Sequence, residues 1–313
     1  MNDNQLHVIF GTGPVGKATA RELVKRGQRV RMVNRSGKAS DLPAGVEVVR
    51  GDAYSAATVT ELTKGAAAVY QCAQPEYHEW VEKFPPLQAA VLEGTAANGA
   101  KLIVVENLYM YGDTDGKPLT EDLPNNPNTR KGKVRAAMSE ALLAAHKSGK
   151  VRVAIGRASD FIGPEYSVGG DLVVYPALAG KTANALGNLD APHSFTYVPD
   201  FGKVMATLGT CDEALGQIWH APSPAPLTQR ALLTMIYNEA GQPPKMRAGG
   251  RLMMSLFGLF NKGARETVEM MYEFEKPFIL DSSKFERTFG MQATPIEQAV
   301  RETVAWFKSH PKV

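Results

Sequence analysis

Cysteine is nearly absent. Cys72 and Cys211 are the only two in 313 residues, and their separation matches no metal or redox spacing. Disulfide frameworks and Cys-rich metal sites are excluded, no metal is expected, and a reducing, cytoplasmic location is. No apolar run approaches the ~20 residues that cross a bilayer. The start, MNDNQLHVIF, has neither the basic nor the long apolar region of a signal peptide, so no membrane partner is expected. Long runs of one charge are also missing. The net charge of +3 comes from 35 basic and 32 acidic residues scattered along the chain, so nucleic acid is not an expected partner. What remains is ordinary for a globular protein: 44% hydrophobic and 21% charged residues, with a length that suits one large α/β domain and a smaller lobe.

Residues 5–37, QLHVIFGTGPVGKATARELVKRGQRVRMVNRSG, carry the strongest signal. An apolar strand, Leu6–Phe10, enters Gly11-Thr12-Gly13-Pro14-Val15-Gly16, followed by an amphipathic helix and a second strand ending at Asn34-Arg35. In such a motif the first glycine permits a tight turn. The second lets backbone approach a pyrophosphate, and the third lets helix pack on strand. N–H groups at the helix start then favour phosphate charge. This strand–turn–helix–strand context predicts a dinucleotide site. A carboxylate after the second strand would bind the ribose hydroxyls of NAD(H), whereas an arginine accommodates a 2′-phosphate. Here Asn34, Arg35 and Ser36 are followed by Lys38, with no acid before Asp41. NADP(H) is therefore the preferred cofactor, with NAD(H) the other candidate.

Strands and helices alternate to about residue 160. Residues 46–52, 66–74, 101–112 and 151–164 read as further strands; 57–65, 85–98 and 129–147 read as helices. The pattern predicts an α/β fold with a doubly wound parallel sheet, a Rossmann domain over residues 1–163. Residues 164–313 read as a smaller substrate-binding lobe, with some segments returning to the main sheet. The stretch 251–274, rich in methionine and aromatics, reads as core filling or a pocket lining. TPIEQAVRETVAWFK (294–308) reads as a closing helix with Pro295 near its start.

Taken together, these elements resemble the extended short-chain dehydrogenase/reductases, the NAD-dependent epimerase/dehydratase group. The resemblance runs through Gly51-Asp52, Cys72-Ala73, Tyr111-Gly112, Arg157 to Gly163-Pro164, FTYVPDFGKV (195–204) and the closing segment. It implies that Asp52 and Ala53 meet the adenine. It also implies that Cys72, Ala73 and Gln74 line the cofactor, and that Ala158 and Ser159 flank the nicotinamide. A homodimer through helices beside the fourth and fifth strands is implied as well.

The catalytic residues depart from that pattern. The family places a Ser or Thr after the fifth strand and a Tyr-x-x-x-Lys on the next helix. An ungapped match from Tyr111-Gly112 to Glu140 puts Asn107, Gly132 and Ala136 at those positions, and no Tyr occurs between Asn125 and Lys150. One reading moves proton donation within the pocket. Strand alternation would put Asn107 and Tyr109 on one face, with Tyr111 at the strand end. Asn107 would bind a carbonyl, Tyr109 would act as general acid, and Lys133 or Arg135 would supply positive charge. In the bland alternative Tyr109 merely packs, and Lys131, Lys133 and Arg135 are an exposed helix start. Two further readings stay open: an NADP(H)-binding sensor or scaffold without catalysis, and a partner-binding protein with a vestigial cofactor site.

Asp160 falls where related epimerases have a substrate-contacting Asn. An acid there would repel a nucleotide-sugar diphosphate, which turns the expectation toward a small apolar carbonyl or alcohol as substrate. Epimerase/dehydratase chemistry on a nucleotide sugar remains the alternative. His193, in a loop before FTYV, is a second candidate substrate contact; as a lone loop His it could equally be solvated.

Overall fold

The structure is a computed structural model and describes residues 4–312. The chain divides into two compact units. The first takes the described residues up to Met110, together with Lys131–Ala158 and Pro199–Ala221; the second takes Tyr111–Arg130, Ser159–Val198 and the residues from Pro222 on. Residues 111–130 and 159–163, which the sequence division groups with the Rossmann domain, thus belong to the second unit.

Seven parallel strands build the first unit. In chain order they begin β1 (Leu6–Phe10), β2 (Arg29–Asn34), β3 (Glu47–Arg50), β4 (Ala66–Gln71), β5 (Lys101–Glu106) and β6 (Arg152–Arg157). Across the sheet the order is Ile218–His220, β6, β5, β4, β1, β2, β3. Helices α1 (Pro14–Lys25), α2 (Ala56–Leu62), α3 (Trp80–Ala97) and α4 (Arg130–Lys147) alternate with these strands. On one sheet face Val8, Phe10, Val69, Leu102, Val104 and Ile155 form a single core with Val59, Phe84, Val91 and Leu142 of the helices. Covering both faces is why β5 reads as an almost continuous apolar run. Among the described residues no helix is long and apolar enough to cross a membrane.

Two elements differ from the sequence expectation in ways that shape the site. Helix α3 starts at Trp80, not near Pro85, so both Pro85 and Pro86 lie inside it. Burial of Trp80, Phe84 and Leu87, at about 1.5–3 kcal/mol per apolar side chain, offsets the roughly 3 kcal/mol of an interior proline. The fifth strand, expected to run to 112, stops at Glu106, and Tyr109–Tyr111 forms a single 3-10 turn. The expectation that Asn107 and Tyr109 share a strand face is therefore corrected. Glu106 pairs with Arg157, the last residue of β6, while β4 ends opposite Val104, so no ladder remains to hold residue 107 extended.

The second unit contains three two-stranded sheets: Asp160–Ile162 with Phe195–Tyr197, Ala183–Leu186 with Met246–Gly249, and Pro192–His193 with Leu227–Thr228. Helices Gln229–Glu239 and Ile296–Ser309 pack Leu232, Leu233, Ile236, Val300, Val304 and Phe307 into its core. The 251–274 stretch splits in two. Met270 and Met271 are buried as core filling and Phe274 lines a cavity, whereas Leu252, Met253, Leu256, Phe257, Leu259 and Phe260 are exposed.

Candidate functional site

The glycine motif forms a cradle at the mouth of the first unit. Gly11 has φ +112°, and a Cβ there would lie 2.7 Å from the Ala73 amide nitrogen, so only glycine lets β1 and β4 end this close together. A Cβ on Gly16 would collide with the Gly11 carbonyl oxygen, whereas Gly13 faces open space. Gly13 is also the N-cap of α1; no side chain caps the helix, and Pro14 occupies its first turn. An uncapped helix start beside an open glycine is what a pyrophosphate needs. Val15 completes the first turn, and Thr12 accepts a hydrogen bond from Asn34 Nδ2 at 2.8 Å. Gly16→Ala should therefore cost about 1–3 kcal/mol of stability through overpacking and weaken dinucleotide binding. Thermal melts with and without NADPH would check both effects, and an unchanged ligand-induced shift would contradict the assignment.

Asn34 organises the loop after β2. Its Oδ1 accepts from the Gly37 and Ser36 amides at 2.7 and 3.1 Å and from the Ser36 hydroxyl at 3.0 Å. Arg35 is exposed and makes no hydrogen bond or ion pair among the described residues. Asp52 is exposed and accepts from the Tyr54 amide at 3.0 Å, and Ala53 packs on the core. At the end of β4, the Cys72 amide donates to the Phe10 carbonyl at 2.9 Å. Burial pushes the Cys72 thiol up to about 12, against a hydrogen bond with Thr19, and so favours the protonated form. Ala73 packs on the core and Gln74 is exposed. Gln71, which sequence reasoning passed over, is buried, and neither end of its amide has a hydrogen-bond partner among the described residues.

Beyond β5 lies a buried charged cluster. Arg157 donates to Glu106 Oε2 at 3.0 Å and to Ser139 Oγ at 2.8 Å. Arg135 donates to the Val105 carbonyl at 3.2 Å, sits 3.7 Å from Glu106 Oε1, and lies over the Phe84 ring at 4.6 Å. Both guanidiniums lie against the Glu106 carboxylate in an apolar setting. Burial lowers the Arg135 pKa, Glu106 and a Tyr109 phenolate would raise it, and Arg157 opposes them. Lys131, one turn earlier on the same face, is fully buried with its Nζ 4.6 Å from the Tyr77 ring centre.

Tyr109 meets this cluster. Its hydroxyl lies 3.3 Å from that of Tyr77, and its ring packs 5.9 Å from Trp80, over which Arg135 also lies. Asn107 Oδ1 accepts weakly from the Tyr109 amide at 3.4 Å, while its buried Nδ2 has no partner among the described residues. The structure thus brings Tyr109 and Arg135 together on the Trp80 ring, with Asn107 held to the Tyr109 backbone. Lys133 is exposed and lines a groove between α3 and α4 with Ala89, Leu92, Ala137 and Ala141. Two residues on from Lys131, it points to the far side of the helix. The reading of residues 131–135 as an exposed helix start is corrected likewise, since Lys131 and Arg135 are buried. Sequence reasoning missed Lys131, Tyr77 and Trp80, although the Lys131–Arg135 spacing already placed two cations on one helical face.

The remaining candidates belong to the second unit. Tyr111 is buried ahead of Gly112, which has φ +70° and fits tightly against the Asn126 carbonyl. Ser159 donates its amide to Thr196 Oγ1 at 3.1 Å, and its buried hydroxyl has no partner among the described residues. Asp160 Oδ2 lies 2.8 Å from His193 Nε2. His193 is 2% exposed and stacked on Phe274, so the solvated-loop alternative does not hold. A Tyr-x-x-x-Lys spacing does occur here, at Tyr272 and Lys276. Lys276 is engaged with Asp113 and Asp115 at 2.8 and 2.9 Å, and the helix ends at Glu275, so the two are not a helical pair.

Among proteins of known activity, the chain is 26% identical over 250 residues to a 2′-dehydrokanamycin reductase of Streptomyces kanamyceticus; the match covers 75% of this chain and 66% of the relative, just under two thirds of its length. Among solved structures, an epimerase from Methanothermobacter thermautotrophicus superposes with a TM-score of 0.82 at 16% identity, covering 98% of this chain and 93% of that one. A UDP-glucuronic acid 4-epimerase from Bacillus cereus, in complex with NAD, gives 0.79 at 15% identity, covering 98% and 100%. Identities this low establish the shared Rossmann-type fold. The model of the NAD dependent epimerase/dehydratase family matches residues 8–217, and this chain belongs to that family.

Proposed function

We propose that this protein is an NADP(H)-preferring oxidoreductase that reduces a small or medium apolar carbonyl, with Tyr109 as proton donor in place of the family's helix tyrosine. The buried Asn107 Nδ2 without a partner carries the reading. A buried donor left unpaired costs roughly 1–3 kcal/mol, and a substrate oxygen beside the Tyr109 hydroxyl would satisfy it. A reduced dinucleotide, when bound, would supply the hydride. Tyr109 delivers the proton through a phenol whose hydroxyl neighbours that of Tyr77. A cation beside a phenol favours the phenolate; Lys131 over the Tyr77 ring and Arg135 over the Trp80 ring support this, where the sequence offers Lys133 or Arg135. A reductase among the relatives supports the direction. The groove between α3 and α4, edged by Lys133, supports a homodimer.

The exposed, unpaired Arg35 supports NADP(H), since a guanidinium can grip the 2′-phosphate in bidentate fashion. NADPH should bind more tightly than NADH, and Arg35→Glu should reverse the order by repelling the phosphate. Fluorescence titration of both nucleotides tests this; equal wild-type affinities would remove the preference. A panel of aldehydes and ketones, read by NADPH oxidation, tests the reaction. Tight NADPH binding with no turnover across the panel would favour the sensor reading.

A further inference from the structure

We propose that the second unit holds a ligand site of its own for an apolar, single-ring molecule bearing a protonated amine, with the ring in its cavity and the ammonium on Asp160. Asp160 is also a candidate substrate contact, so this inference names the ligand chemistry of that position; its test uses neither the dinucleotide nor turnover, and its failure is therefore distinct from failure of the reductase reading.

The cavity measures about 160 Å³. Apolar cavities of roughly that size, ~150 Å³, hold one benzene-sized molecule. Its walls are mostly rings and aliphatic chains, among them Phe161, Tyr166, Leu186, Leu233, Phe274 and Phe307. The uncharged polar lining groups are largely committed. Gln229 Nε2 donates to the Leu186 carbonyl at 2.7 Å and Thr303 Oγ1 to that of Ala299 at 2.6 Å; the Asn184 oxygen accepts from Arg247 at 2.7 Å. Among the lining residues Asp160 alone is charged; His193, bound to its Oδ2, is not one of them. An anionic head group such as a phosphate would face that carboxylate.

Asp160 is held in place and still has capacity. Its Oδ2 is bound to His193, while its Oδ1 takes no hydrogen bond among the described residues, and the side chain is 35% exposed. His193 cannot swing away, because its Nδ1 lies 3.2 Å from the Glu273 carbonyl and its ring stacks at 5.5 Å on Phe274. A carboxylate has about four acceptor positions, and one is used. Burial, and then the Asp160 charge, raise the Glu273 carboxyl well above its ordinary range. The same two causes raise Tyr166, whose phenol therefore stays neutral. The Phe161 and Tyr166 rings, 5.8 Å apart, offer π faces to a cation beside the carboxylate.

The full-length protein should be titrated at neutral pH with 2-phenylethylamine, 2-phenylethanol and phenylacetate, three probes of one shape and different charge. Ligand-observed NMR and calorimetry give the affinities. The amine should bind about tenfold or more tighter than the alcohol, as expected for a charge-assisted hydrogen bond, and phenylacetate should bind weakest. Asp160→Asn should level amine and alcohol, and Leu186→Trp, at a half-buried wall position, should remove binding of both. Equal wild-type affinities, no binding of any probe, or an amine preference that survives Asp160→Asn would each overturn the proposal. Binding unchanged in a folded Leu186→Trp variant would overturn the placement in this cavity.

Discussion

Tyr109→Phe should lower turnover by the ~10²–10⁴-fold that loss of a general acid brings, while NADPH affinity stays near the wild-type value. The substitution removes one oxygen and keeps the ring against Trp80, so packing changes little. On the proposed reading, a substrate oxygen that satisfies the unpaired Asn107 Nδ2 would receive its proton from the Tyr109 hydroxyl. Asn107→Ala should also lower turnover, through loss of an oriented hydrogen bond. Comparing kcat with kcat/KM separates the roles, because a purely positional contact raises KM more than it lowers kcat. A Tyr109→Phe enzyme reacting at the wild-type rate would remove Tyr109 from the chemistry and pass the proton-donor role to Tyr77.

Acid should destabilise the first unit well before its carboxylates protonate. His7 is the second residue of β1, 1% exposed, with Nδ1 2.8 Å from the Tyr70 hydroxyl. Room for that hydroxyl comes from Gly209, where any Cβ would overlap it. Burial, and then the positive charge of Lys101, lower the His7 pKa from 6.5 to about 4, against a smaller opposing hydrogen bond from Gln28. The unfolded chain therefore takes up a proton near pH 6.5 that the folded chain resists until about pH 4. Stability is constant above that window and falls through it by about 3 kcal/mol, at 1.36 kcal/mol per pKa unit. Urea unfolding of wild type at pH 7.5 and 4.5 should show the loss. His7→Gln, which cannot titrate, should show a much smaller one. Equal losses in both proteins would assign the acid sensitivity to other groups.

Much of this protein was legible along the chain. The glycine motif, the alternation of strands and helices and the closing helix depend on local geometry and on which face is apolar. Such signals repeat every two or 3.6 residues and survive without knowledge of partners. That is why β1, β2, α1, α4 and Ile296–Ser309 were found close to their observed limits. The start of α3 was not, because the burial of Trp80 and Phe84 outweighs a local proline rule. The end of β5 was not, because a strand stops where its neighbours stop, and the sequence does not print the register of β4 and β6.

The sequence by itself determined that a Gly-x-Gly-x-x-Gly turn and a basic loop after β2 exist, and that no tyrosine occurs between Asn125 and Lys150. Both are statements about which residue types occupy adjacent positions. Tertiary structure alone decided which cations matter: Lys131 and Arg135 are buried against aromatic rings contributed by α3 and the turn before it, while Lys133 faces outward. It also joined Glu106 to Arg157, and Asp160 to a His193 enclosed by Phe195, Phe274 and Phe278. The reason is the same in each case. A charge acquires its chemistry from burial and from the partners beside it, and those partners lie tens of residues away in the chain.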